Sequence, residues 1–324
     1  MQHNKQLTQD RSTGFRKFLE QYGIMLITVV MIAIATALQG TTFLSLSNFV
    51  NIIRSNSVVG IIAFGMSLVI ISGNIDLSVG AQMVLVSSVT IEIVNRTGSA
   101  LLGVLAAFAF SCSLSLLTGF IVTKGRVPSF IVTLGLQYIY RSILIYSLNG
   151  GGITTSNAAY STISNYSLFG WLPLQILYFF IMGAIFWFIS KRTVLGRHIY
   201  AVGSNERATR LSGIKTDRIK IIAFLLLGVA IAVAAVAESS RMGSINSTSS
   251  GISYELNAIA MAVIGGVAME GGKGKITNTM FGAFIFGLIN NILTLIGVNT
   301  RLVNAFKGAI IIVAVLLQRK SKER

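Results

Sequence analysis

The chain has 324 residues, of which 53% are hydrophobic and 11% charged, with 26 Lys and Arg against 10 Asp and Glu. A soluble domain carries about 25% charge, so these charges are too few to coat a soluble surface of this length. The net charge of +16 does not point to nucleic acid, because the basic residues lie between apolar runs, where they act as a topology signal.

Residues 1–21 form a polar, basic tail. Apolar runs follow at 22–39, 57–73, 77–94, 100–122, 128–148, 168–189, 219–237, 252–269, 277–296 and 302–317. Most reach the ~17–25 residues that span a bilayer, so the expected fold is all-α and polytopic, with about ten transmembrane helices. The domain reading is an N-terminal tail at 1–21, a membrane domain at 22–317 and a tail at 318–324. The length of the first run and its extended polar leader favour an uncleaved anchor over a signal peptide. The pairs of runs flanking 74–76 and 270–275 are joined by very short links, which suit either a tight turn or a broken, re-entrant helix.

With the N-terminus inside, twenty Lys and Arg fall on the cytoplasmic side, counting Lys220 at a helix start. Only Arg54, Arg96, Arg241 and Arg301 fall outside. That asymmetry places both termini in the cytoplasm and favours an even number of spans. The outer segment 149–167 is uncharged and reads equally as a surface loop or a docking surface. A loose internal echo links 60–80 with 255–275, both apolar runs ending in a Gly-rich link.

No catalytic constellation appears. The stretch Gly271-Gly272-Lys273-Gly274-Lys275-Ile276 resembles a phosphate loop, but that motif needs glycine where Met269 stands and Ser or Thr where Ile276 stands. ATP is therefore expected to be handled by another chain. His3 and His198 lie far apart in polar flanks, which disfavours a metal site or a Ser-His-acid triad. The single cysteine, Cys112, cannot form an intrachain disulfide. Asp76, Glu92, Glu238, Glu255 and Glu270 all fall at the expected span ends, which argues against a proton relay. Arg141 is the deepest cation and is expected to snorkel outward. Asp76 is placed to cap the helix that follows it.

The longest inside segment is 190–218. Ser204 or Asn205 suits the N-cap of a short helix running to about Leu211, and Gly213 suits its stop. Such a helix presents Glu206, Arg207, Thr209 and Arg210, with Ala208 and Leu211 on another face. A helix this short is marginal alone, which favours docking onto a partner over lying on anionic lipid.

These residues resemble the inner-membrane permeases of bacterial monosaccharide ABC importers of the ribose, xylose and arabinose type. The resemblance runs from about residue 45 to 318. It rests on Gly73-Asn74-Ile75-Asp76-Leu77-Ser78-Val79-Gly80, on Pro128-Ser129-Phe130-Ile131-Val132-Thr133-Leu134-Gly135 and on Gly203-Ser204-Asn205-Glu206-Arg207-Ala208-Thr209-Arg210-Leu211-Ser212-Gly213-Ile214. Tyr254-Glu255-Leu256 and Gly271-Gly272-Lys273-Gly274 also fit. The chain departs from the pattern at Asn74, at Val267-Ala268-Met269-Glu270 and at Arg141-Ser142, and these departures bear on which sugar is carried.

The resemblance implies a permease fold of ten helices and a multi-pass protein of the bacterial inner membrane. It implies a permease dimer, either homodimer or heterodimer, a separate ABC ATPase and a periplasmic or lipid-anchored sugar-binding protein. It makes Gly203, Asn205, Glu206, Arg207, Thr209, Arg210, Leu211, Ser212 and Gly213 a coupling segment for the ATPase. The chain itself is expected to bind no metal or cofactor, with ATP and Mg²⁺ used by the partner. Asn74, Asp76, Ser78, Thr133, Gln137, Asn257, Asn290 and Asn291 are candidates for the translocation path, and most serve equally as interhelical hydrogen bonders. An ion-coupled carrier and a non-transport membrane scaffold are the rival readings.

Overall fold

A computed structural model describes residues 25–26, 28–37, 40, 43–299, 302–303, 305–306 and 308–309. The two expected tails, part of the first run and most of the last lie outside the described residues.

Among the described residues the chain is nearly all helix. A short apolar helix, α1 (Thr28–Ala37), precedes α2 (Leu46–Ile71), α3 (Val79–Thr97), α4 (Ala100–Lys124) and α5 (Ser129–Ser147). The connection after α5 then holds β1 (Gly152–Thr154), α6 (Ala158–Asn165) and a hairpin of β2 (Ser167–Leu168) with β3 (Leu172–Pro173). Next come α7 (Leu174–Arg192), α8 (Val194–Ser204), α9 (Glu206–Leu211) and α10 (Thr216–Met242). The chain continues through β4 (Ser244–Asn246), α11 (Tyr254–Ile264) and α12 (Ile276–Leu295). β4 pairs antiparallel with β1, tying the outer end of α10 to the connection after α5. Six of these helices are long and apolar enough to cross a membrane: α2, α4, α5, α7, α10 and α12.

The axis of the fold is α2. Every residue from Asn56 to Ile71 is buried, because α7, α10, α11 and α12 surround the helix. That burial explains a stretch that is apolar all round and has no polar stripe. In contrast, α4 and α5 turn most of their surface outward, with Leu101, Leu105, Phe120, Phe130 and Tyr138 exposed to what would be lipid or a neighbouring subunit.

Small residues set how closely the helices approach, as expected where lipid removes the hydrophobic drive between helices. A side chain at Gly65 on α2 would stand 2.9 Å from the Leu227 Cα on α10. One at Gly228 on α10 would stand 2.7 Å from Ser115 on α4. One at Gly287 on α12 would stand 2.8 Å from the Asn56 amide on α2.

Three segments differ from the expected spans: the run 168–189 opens with the β2–β3 hairpin and turns helical only at Leu174, and two others depart further. The run expected to begin at residue 57 begins at Leu46, with Ser45 capping it by accepting from the Asn48 N–H. Asn48, Asn56 and Arg54 had the look of an outside loop, yet all three lie within α2. They are held there by Asn291 and Asn290 on α12 and by Asn165 at the end of α6. The expected span 252–269 contains a helix of only 11 residues, α11, entered through the non-helical stretch 247–253 and left through the loop 265–275. At ~1.5 Å per residue α11 is about half a membrane deep.

The close α2–α10 approach predicts that Gly65→Val lowers the thermal unfolding midpoint of the detergent-purified protein, by overpacking worth about 1–3 kcal/mol. Gly135→Ala on the open face of α5, where no heavy atom lies within 4 Å, should leave the midpoint unchanged.

Candidate functional site

The nine residues expected to form the coupling segment make one continuous module. Thr193 caps α8 through the Gly196 N–H, and Asn205 both ends α8 and caps α9 by accepting from the Ala208 N–H at 2.9 Å. Gly213 takes a φ of +83°, where a side chain would be strained, and the N–H of Ile214 reaches back to the Thr209 carbonyl. The predicted cap, length and stop of this helix all appear.

The outward face differs from the expectation. Thr209 is buried, and its hydroxyl donates to the carbonyls of Ala201 and Asn205, stitching α9 to α8. Glu206 and Arg210 turn toward α10. Lys220 Nζ donates to Glu206 at 2.7 Å, and Arg210 reaches Glu206 at 3.2 Å, Thr216 at 3.0 Å and Asp217 at 3.5 Å. Lys124, at the end of α4, closes the chain of charges on Asp217 at 3.1 Å. Burial pushes the Glu206 carboxyl up, but Lys220 and Arg210 outweigh it and hold the group below its usual range. The freely exposed positions of α9 are Arg207, Ala208 and Leu211, with Leu211 82% exposed.

Behind this module three backbones meet. The Gly272 N–H donates to the Ile71 carbonyl at 2.8 Å, joining the loop after α11 to the end of α2. Gly203, the penultimate residue of α8, lies against the same pair. A Cβ there would overlap the Ile71 carbonyl oxygen and stand 2.7 Å from the Gly272 nitrogen. Gly271 in turn packs on Gly73. The two Gly-rich links of the internal echo therefore touch each other, and the helix leading into α9 sits on both. A cavity of about 740 Å³ opens beside the junction, lined among others by Asn74, Arg126, Ser129, Glu206, Arg210 and Met269.

The path candidates fall into two separate groups. Asn74, Asp76, Ser78 and Thr133 gather around the extended link between α2 and α3. Asp76 is wholly buried and accepts from both the backbone N–H and the hydroxyl of Ser78, at 2.8 and 2.6 Å. It thus fixes the turn just before α3, and no side chain caps the helix itself. Asn74 donates to the Ser72 hydroxyl. Ser129 accepts from the Ile75 N–H, and Thr133 accepts from the Leu77 N–H, both at 3.0 Å. These bonds satisfy an extended backbone at membrane depth, which an apolar environment would otherwise penalise by several kcal/mol per group, roughly.

Asn290 and Asn291 lie elsewhere, pairing with Asn56 and Asn48 near the outer end of α2. Their surroundings make them ties between α2 and α12. Asn257 is half-buried on α11.

The depth of the acids corrects the sequence reading. Gln82, on the first turn of α3, donates to Ser115 near the middle of α4, and Ser111 donates to Gly228 near the middle of α10. The start of α3 is therefore at mid-membrane depth. Glu255 lies there too. Its carboxylate occupies the room left by the missing side chain of Gly80 and accepts from Gln137, near the centre of α5, at 3.3 Å. It is not at a span end, because α11 begins halfway through the membrane. Arg141 does reach toward the end of α5: its Nη1 donates to the carbonyls of Ser247 and Ser250 at 2.9 Å each, and Ser247 in turn donates to the Gly151 carbonyl beyond that end. Glu255 and Arg141 are the residues that sequence reasoning undervalued. The available signal was their ionisable character inside an apolar run, where a charge costs about 2.5–3.5 kcal/mol.

Comparison with known proteins agrees with this architecture. Residues 48–315 match a family described as branched-chain amino acid transport system / permease component. The ribose import permease protein RbsC of Escherichia coli K12 is 39% identical over 98% of this chain and 100% of its own. RbsC of Bacillus subtilis is 33% identical over 97% of each chain, and the D-allose transport system permease protein AlsC of Escherichia coli K12 is 30% identical over 96% of this chain and 95% of its own. No solved structure matches it. The chain belongs to this family of multi-pass membrane permeases, which holds the permease subunits of sugar ABC importers.

Proposed function

We propose that this chain is the membrane-spanning subunit of an ATP-driven importer that brings a monosaccharide into the cytoplasm. A separate ABC ATPase supplies the energy, using ATP and Mg²⁺, and this chain binds neither. A sugar-binding protein delivers the substrate at the outer face, a second permease subunit completes the path, and both termini lie in the cytoplasm. The relatives named for ribose and allose import support the substrate class. The positive-inside asymmetry supports the orientation.

The observation that carries this reading is the contact of Gly203 with Ile71 and Gly272. A helix pushed from the cytoplasm at Arg207, Ala208 and Leu211 moves α2 and the α11–α12 loop with it, since no compressible side chain lies between. An ion-coupled carrier would have no use for this linkage. The ion pairs of Glu206 and Arg210 with α10 hold the module's other side and leave the apolar tip, Leu211, for the ATPase.

Leu211→Asp should abolish ATP-driven sugar uptake and loosen ATPase co-purification without changing permease level or thermal midpoint, because the side chain supports no internal contact. Uptake unchanged from wild type would refute the docking role. Gly203→Ala should separate the two activities, with ATP hydrolysis continuing in the assembled transporter while uptake falls. Because the Glu206 carboxyl is held below its ordinary value of 4.5, its contribution is present above that value and is lost only as pH falls through the lower folded-state value. The difference in thermal midpoint between wild type and Glu206→Gln should therefore stay constant from about pH 7 to 5 and shrink as pH falls below the ordinary value of 4.5.

A further inference from the structure

The stretch 247–253 is non-helical and leads from the outer surface to the start of α11, at the middle of the membrane. Irregular backbone at that depth survives only when buried in protein or lining a water-filled path. One stripe of α5 holds it. Arg141 grips the carbonyls of Ser247 and Ser250, and Gln137, one turn inward, grips Glu255. From the other side Gly80 presses against Gly251, with room for no side chain at either residue. Gly251 and Ser253 both take positive φ, +68° and +63°, and Ser253 is not glycine. Strain of this kind, with a charged side chain holding backbone carbonyls inside a membrane, is characteristic of moving or binding elements. Ile252 within the stretch and Leu256 just after it are exposed, so it borders an open face.

We propose that 247–253 is a gate across the sugar path between the outer surface and the membrane's mid-depth and that Arg141 is its positioning residue. When the gate shifts, the Glu255 carboxylate and the Gln137 amide become free to meet sugar hydroxyls. A carboxylate beside an amide accepts and donates hydrogen bonds as a neutral polyol requires, and it repels an anion. The assignment of hydroxyl binding rests on the sugar-import reading above, whereas the gate does not.

The test uses the complete transporter in proteoliposomes, with Cys112→Ser as background and Ile252→Cys as reporter. A membrane-impermeant maleimide added on the binding-protein side should label Ile252→Cys at rates differing about tenfold between the nucleotide-free and vanadate-trapped states. Arg141→Met should abolish that difference and lower uptake at saturating sugar, while Arg141→Lys, which keeps a donor and the charge, restores part of both. If Arg141→Met assembles poorly, the Arg141→Lys labelling ratio, lying between wild type and unity, carries the test. Equal labelling in both states by a transporter that still imports sugar would overturn the gate. State-dependent labelling in a transporter that imports no monosaccharide would uphold the gate and overturn the sugar contacts of Glu255.

Discussion

The architecture depends on a close approach of three backbones: the end of α2, the end of α8 and the loop between α11 and α12. Only glycine permits it at residue 203, because any Cβ would occupy the space of the Ile71 carbonyl oxygen. Packed interiors are dense and yield little, so a contact of backbone on backbone transmits displacement with less loss than one mediated by flexible side chains. The buried inner half of α2 is thereby tied to a short, largely exposed helix. α2 has no polar face of its own, and α9 is too short to stand without the structure behind it.

The same logic orders the membrane interior. Two helices begin near mid-depth, entered from opposite ends of the long helices, α3 through 72–78 and α11 through 247–253. Each entry segment has backbone groups that lipid would leave unsatisfied, and each is laced to α5, the first by Ser129 and Thr133 and the second by Gln137 and Arg141. One helix thus holds both interruptions. On the proposed transport reading, these polar residues form the constriction that alternating access needs, beside the cavity lined by Glu206 and Arg210.

Much of this was legible in the sequence. The spans of α4, α5 and α12 fall within a residue or two of the apolar runs, since long hydrophobic stretches have few other fates. The cap and stop of α9 were readable from Asn205 and Gly213, because capping is local chemistry. What failed was depth and partnership. Arg54 and three asparagines disguised the first turns of α2 as a loop, as hydropathy cannot see the pairing of Asn48 with Asn291. The half-length of α11 was hidden because a buried irregular segment can be as apolar as a helix. Glu255 was misplaced for the same reason: its distance from the end of a run was taken as distance from the membrane surface.

The central claim is that α9 and α2 move as one body. Spin labels on Ser212, just after α9, and on Ser47, at the outer end of α2, report it directly by pulsed electron resonance, with Tyr146 at the outer end of α5 as the comparison point. In the assembled transporter with and without ATP, the Ser212–Ser47 distance should stay constant while the Ser212–Tyr146 distance changes. A change in Ser212–Ser47 of the same size as that in Ser212–Tyr146 would mean that α9 slides independently of α2, and would contradict the account.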